Sequence, residues 1–211
     1  LTETAGAITI LMPEDHDPEK GKLRSCGKAL NSVEIKVVDD EGNEVKTGDI
    51  GEVISKSPLN MKGYWNRPDA TEEAIKDGWF YSGDAGFFDD EGYLYIHDRV
   101  KDMIVSGGEN IYPAEVENAL MSHPEIVDAA VIGVPDDKWG ESVKGFVVLQ
   151  PESSLDETEI ISYSRSQIAG YKCPKTINFI EALPRNPSGK ILRRELREPF
   201  WEGKDRMVSG N

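Results

Sequence analysis

Hydrophobic and polar residues alternate strictly over Val33-Glu34-Ile35-Lys36-Val37, the pattern of a strand with one buried face. Asp40-Glu41-Gly42-Asn43 then forms a turn, and Ile50 to Ser55, alternating less cleanly, supplies a partner strand. Asp69 with Glu72 three positions on marks the start of a short helix running to about Lys76. Gly78 to Asp84 reads as a strand entering a glycine turn. Phe87-Phe88, the Asp89-Asp90-Glu91-Gly92 turn and Tyr93 to Ile96 read as a hairpin. An earlier apolar run, Ala7 to Leu11, is short and is followed by a polar loop.

The periodicity changes after Lys101. Met103-Ile104-Val105 is long enough for a brief buried strand, and Gly107-Gly108 permits positive φ. A helix follows from Pro113 to Met121, with Val116, Ala119 and Leu120 on one face. Strands are expected at Val127 to Val134, Gly145 to Leu149 and Thr176 to Ile180. Helices are expected from the Asp156/Glu159 cap to about Ile168 and from Ile191 to Glu198. The expected fold class is therefore α+β: a strand-rich small barrel or sandwich over 1–100, then a compact α+β unit over 101–211. On local pattern alone, Asp98 to Asn110 is either a junction between two bodies or a hairpin-to-helix connection inside one domain.

Composition narrows the function classes. The 211 residues are 38% hydrophobic, which suits a globular chain, and no apolar run approaches a membrane span. The net charge of −15 argues against nucleic-acid binding, which needs basic surface. The charge is uneven, because Lys172 to Arg197 is basic, as a small polyanion such as a nucleotide would require. Arg193 to Arg197 taken alone reads as a solvated helix face. Two cysteines, Cys26 and Cys173, and three scattered histidines offer no disulfide framework and no metal-ligand spacing. A reducing cytoplasm is the simplest compartment. The chain opens on Leu1-Thr2-Glu3-Thr4 without methionine or signal pattern, as a processed product or a piece of a longer protein would.

Three segments could carry chemistry. Pro184-Arg185-Asn186-Pro187-Ser188-Gly189-Lys190 holds a lysine at the end of a stiff loop, where it is either a point charge for phosphate or carboxylate or a surface lysine at a helix start. Asp84, after a glycine at a strand end, is either an acceptor for a sugar diol or a turn aspartate. Thr2 and Glu3 offer a hydroxyl and a carboxylate that could serve a phosphate and Mg²⁺.

Five blocks in order, Leu1-Thr2-Glu3-Thr4, Lys62-Gly63-Tyr64-Trp65-Asn66-Arg67-Pro68, Tyr81-Ser82-Gly83-Asp84, Asp98 to Glu117 and Pro184 to Lys190, resemble the adenylate-forming superfamily and, within it, the acyl-CoA synthetases. The resemblance covers nearly the whole chain. It implies a two-step ligase. A carboxylic acid, fatty or aryl, attacks the α-phosphate of ATP to give an acyl-adenylate, and the thiol of coenzyme A then displaces AMP. It further implies that residues 1–100 end a large N-terminal domain and that residues 101–211 are a mobile lid. By the same resemblance Lys190 is catalytic in adenylation, Thr2, Asp84 and Arg99 contact the nucleotide, Glu3 serves Mg²⁺, Lys101 is the hinge, and Gly107 and Gly108 face the pantetheine tunnel.

Three departures qualify the resemblance. The family's glycine-, serine- and threonine-rich phosphate loop lies upstream of this sequence, so the fragment alone should be inactive. Val105 stands where luciferases of the superfamily carry lysine, and the hinge is Lys101 where many relatives have aspartate. An adenylation domain that loads a carrier protein, and a non-catalytic nucleotide- or CoA-binding module, are the alternatives.

Overall fold

A computed structural model describes residues 1–203. The architecture is α+β, and the chain divides into two compact units, Leu1–Val100 and Lys101–Asn211. The last eight positions of the expected second domain, 204–211, lie outside the described residues.

Strands supply most of the regular structure of the first unit. A ribbon pairs β1 (Thr9–Ile10) with β2 (Lys28–Ala29). A five-stranded antiparallel sheet holds β3 (Glu34–Val38), β4 (Gly51–Lys56), β5 (Ile75–Lys76), β6 (Trp79–Phe88) and β7 (Leu94–Arg99), with helix α1 (Pro68–Ala74) between β4 and β5. Val37, Val53 and Leu94 form its apolar centre, with Ile35, Val45 and Phe88 packed around them. The alternation at 33–37 thus does what it predicts: it presents Val37 to a core.

Two local expectations are corrected. The strand from Gly78 does not end at Asp84, because β6 runs on to Phe88 and absorbs Gly83 as an irregularity. There Gly83 N donates to the Glu52 side chain at 2.8 Å, and Asp84 N donates to Ser82 Oγ at 3.1 Å. Side chains thus accept from amides that would otherwise pair in the ladder. The helix predicted from Asp69 starts one residue earlier, at Pro68, whose fixed φ suits a first turn. Asp69 pairs with Arg67 instead of capping, and Ile75–Lys76 leaves the helix to become β5.

The second unit is built on a long hairpin. Strand β8 (Ile104–Ser106) turns into β9 (Glu109–Ile111), α2 (Pro113–Met121) follows, and β10 (Ile126–Asp136) pairs antiparallel with β11 (Gly140–Leu149). Helix α3 (Glu157–Gln167) leads to β12 (Thr176–Phe179), which lies parallel to β11, and α4 (Arg193–Trp201) comes last among the described residues. The sheet order is β10-β11-β8-β9, with β12 also on β11. The predicted capping box is present: Asp156 accepts from Glu159 N, and Glu159 accepts from Asp156 N.

Both faces of this sheet are covered, which is why consecutive residues Ala129 to Ile132 are all buried. Ala129, Val131, Val143 and Val147 pack with Val116, Leu120 and Ile160 of α2 and α3. Ala130, Ile132 and Phe146 face the other way, toward Leu196 and Phe200 of α4.

The reading of Arg193 to Arg197 as a solvated face is overturned. Arg193 meets Glu117 of α2 at 2.7 Å, and Arg197 meets Asp102 at 2.8 Å. Glu117 Oε1 also accepts from Val131 N at 2.8 Å. Both acids are about 9% exposed, so the ion pairs are largely shielded from water. Glu117 and Asp102 lie 76 and 95 positions from their arginines, out of reach of local pattern. The helix itself begins at Arg193, not Ile191, because Ile191 bridges back to Arg185 as extended chain.

Candidate functional site

In the first unit a string of polar side chains gathers at the β6–β7 ladder. Asp84 and Arg99 are register partners, and their charges meet at 3.2 Å. Asp84 is largely covered, its side chain 17% exposed, whereas that of Arg99 is 44% exposed. Glu52 reaches across from β4 to hold Gly83 N, fixing the backbone one residue before Asp84. Burial raises the Glu52 carboxyl above its ordinary value, against the lowering effect of the Gly83 hydrogen bond.

Glu3 sits in a single 3₁₀ turn, Thr2–Thr4, whose Thr4 is buried and donates to the carbonyls of Leu1 and Gly6. The Tyr64 hydroxyl donates to Glu3 Oε1 at 3.1 Å, and Met61 N donates to Glu3 O at 2.7 Å. Burial and the Glu3 carboxylate push the Tyr64 phenol upward, while the positive charge of Arg99 opposes them. Glu3, Tyr64, Arg99 and Asp84 therefore form one electrostatic neighbourhood. Thr2 is exposed beside it in sequence. The sequence marks Tyr64 only by its place in the Lys62 to Pro68 block.

No group of three or more His, Cys, Asp or Glu capable of holding a metal occurs among the described residues. Glu3 nevertheless suits a Mg²⁺ that arrives on nucleotide phosphates, since such an ion needs only one or two carboxylates. Its Oε1 is engaged by Tyr64, and no hydrogen bond among the described residues engages Oε2.

In the second unit, Lys101 is exposed in the one-turn 3₁₀ segment Val100–Asp102, next to the buried Asp102. Gly107 and Gly108 are the two central residues of the β8–β9 turn, at φ 63° and 87°. Both angles lie in the left-handed region, as tight hairpins of this twist require. A Cβ at Gly107 would lie 2.7 Å from the Trp139 ring, whereas one at Gly108 would meet nothing within 4 Å. Gly108 thus leaves open space over bare backbone, and Gly107 is packed.

Lys190 ends a loop that closes on itself. Leu192 N donates to Pro184 O at 2.8 Å, and Asn186 N donates to Lys190 O at 2.9 Å. Arg185 spans two acceptors, Gly189 O and Asp128 Oδ2, each at 2.6 Å. The Lys190 side chain is exposed, and its ammonium makes no ion pair among the described residues.

The chain resembles known proteins along its whole length. A family profile described as AMP-binding enzyme matches residues 1–65, and one described as AMP-binding enzyme C-terminal domain matches residues 115–190. The fatty acid–[acyl-carrier-protein] ligase ScoC of Streptomyces coeruleorubidus is 44% identical over 99% of the chain and 40% of its own length. The long-chain-fatty-acid–CoA ligase FadD13 of Mycobacterium tuberculosis is 47% identical over 95% of the chain and 39% of its own length. Among solved structures, o-succinylbenzoate CoA synthetase from Bacillus subtilis, in complex with its acyl-adenylate intermediate, superposes with a TM-score of 0.85. It is 43% identical, over 93% of this chain and 39% of that one. The chain thus spans about two fifths of the length of the relatives it matches.

Proposed function

This chain belongs to the AMP-binding enzyme family, and on that premise we propose that it is the C-terminal portion of an acyl-CoA synthetase using ATP, Mg²⁺ and coenzyme A. The acid is fatty or aryl, as the substrates in the relatives' names suggest. In the first step the carboxylate oxygen bonds to the α-phosphorus and the bond to pyrophosphate breaks. In the second, the coenzyme A sulfur bonds to the acyl carbon, AMP leaves and the thiol proton is released.

Asp84 accepts from the ribose hydroxyls, with Arg99 beside it holding both the carboxylate and the nucleotide. Thr2 lies by the phosphates, and Glu3 holds Mg²⁺, which supplies charge neutralisation to the phosphates when bound. Lys190 bridges acyl carboxylate and phosphate as negative charge develops there. The second unit turns about Lys101 between the steps, so that Gly107 and Gly108 replace Lys190 at the nucleotide for the attack by pantetheine. Residues 1–211 alone make no adenylate, since they are about two fifths of such an enzyme. The proposed compartment is the cytoplasm, supported by two cysteines that stay unpaired. No helix among the described residues is long and apolar enough to cross a membrane.

The observation that carries this reading is the Lys190 loop, whose backbone is tied down while its ammonium makes no ion pair among the described residues. The test is Lys190→Ala in the full-length protein. Adenylation, read as acid-dependent pyrophosphate exchange, should fall on the order of 10² to 10³-fold. Thioester formation from supplied acyl-adenylate should persist. Equal loss of both half-reactions overturns the reading. The likeness to ScoC favours a second acceptor, a carrier-protein thiol. Offering coenzyme A and a carrier protein in parallel distinguishes the two.

A further inference from the structure

The loop that presents Lys190 is organised from within by one side chain. Asn186 Oδ1 accepts three hydrogen bonds, from Ser188 N at 3.0 Å, Ser188 Oγ at 2.8 Å and Lys190 N at 2.9 Å. Its backbone closes the same ring, for Gly189 N donates to Asn186 O at 2.9 Å. Gly189 adopts φ +84°, which any other L-residue would adopt with strain. Arg185 closes the outside by tying Gly189 O to Asp128 of β10.

The consequence concerns entropy. A lysine stem has several rotatable bonds, and a loose loop beneath it would have to be ordered at each turnover. Here the backbone is fixed before any ligand arrives, so only the side chain remains to be placed. Preorganisation of this kind lowers a barrier by the freedom it removes beforehand.

We propose that Asn186 is a positioning residue for Lys190 in adenylation, with the Arg185–Asp128 pair as its outer brace. The proposal rests on the reading of Lys190 given above and assigns Asn186 no contact with substrate. An oxygen acceptor is required at this place, not an amide as such.

The experiment compares Asn186→Ala and Asn186→Asp in the full-length protein. Asn186→Ala should slow pyrophosphate exchange by between about ten-fold and 10²-fold, the range a misplaced catalytic group gives. Thioester formation from supplied acyl-adenylate should stay within about two-fold, as the group is needed in one transition state only. Asn186→Asp keeps the acceptor and should restore most of the exchange rate. In Asn186→Ala the amide protons of Ser188 and Lys190 should exchange faster with solvent, a readout independent of activity. Unchanged exchange kinetics in Asn186→Ala, equal loss of both half-reactions, or failure of Asn186→Asp to recover overturns the proposal. If Lys190→Ala loses adenylation as expected and Asn186→Ala leaves the rate of pyrophosphate exchange unchanged, only this inference fails. If Lys190→Ala has no effect, the functional reading itself fails.

Discussion

Asp84 and Arg99 lie directly opposite one another on neighbouring strands, and the carboxylate and guanidinium meet at 3.2 Å. The pair is asymmetric in exposure, with the acid mostly covered and the arginine substantially open. Such a pair presents an acceptor already oriented by a cation. In the full-length protein, Asp84→Ala should raise the KM for ATP by roughly ten-fold to 10²-fold, the worth of hydrogen bonds to a charged group. The kcat should change little, because binding common to ground and transition states is what is lost. Steady-state kinetics at saturating acid and coenzyme A would check it, and an unchanged KM would remove Asp84 from the nucleotide site.

Glu52 gives a pH signature. Its carboxyl is raised above 4.5 by burial. Between 4.5 and its folded value the folded protein keeps a proton that the unfolded chain has released. Stability contributed by that proton is fully present below pH 4.5 and lost as pH rises through the folded value. Glu52→Gln has no such loss and still offers Gly83 N an acceptor. Its melting temperature relative to the parent should therefore be higher at pH 7 than at pH 4, measured by thermal unfolding at the two pH values. A pH-independent difference would mean that Glu52 titrates normally.

The two glycines of the β8–β9 turn should respond differently to alanine. Both positions have left-handed backbone, so each substitution carries strain on the order of 1 kcal/mol. At Gly107 the new methyl also meets the Trp139 ring at 2.7 Å, and Gly107 N is held to Trp139 O at 2.8 Å, which limits retreat. Gly107→Ala should therefore cost more, about 2 to 3 kcal/mol in denaturant unfolding. Gly108→Ala should cost less stability and slow thioester formation selectively, since its methyl enters open space. Equal destabilisation by both would show that Trp139 moves aside freely.

Elements defined by neighbours in sequence were legible, and those defined by distant partners were not. The alternation at Val33 to Val37, the Asp156/Glu159 cap and the helix Pro113–Met121 need only local chemistry, and each is found. The continuation of β6 through Gly83 depends on Glu52, 31 positions away, which no local rule sees. The partial covering of Arg193 and Arg197 depends on acids still farther off. The site residues were named through five short blocks in register. Their surroundings, such as Tyr64 on Glu3 at a separation of 61, follow only from folding.

Helix α4 is moored, through Arg197, to Asp102, the second residue of the second unit. A polypeptide excised to begin at Met103 would leave this shielded guanidinium without its counter-charge. One beginning at Lys101 would keep it. Asp102, near the start of the lobe, and Arg197, on α4, are therefore side by side. A circular permutant with new termini opened at the Asp136–Gly140 bend would still carry both members of that pair, and its folding would depend on their meeting again.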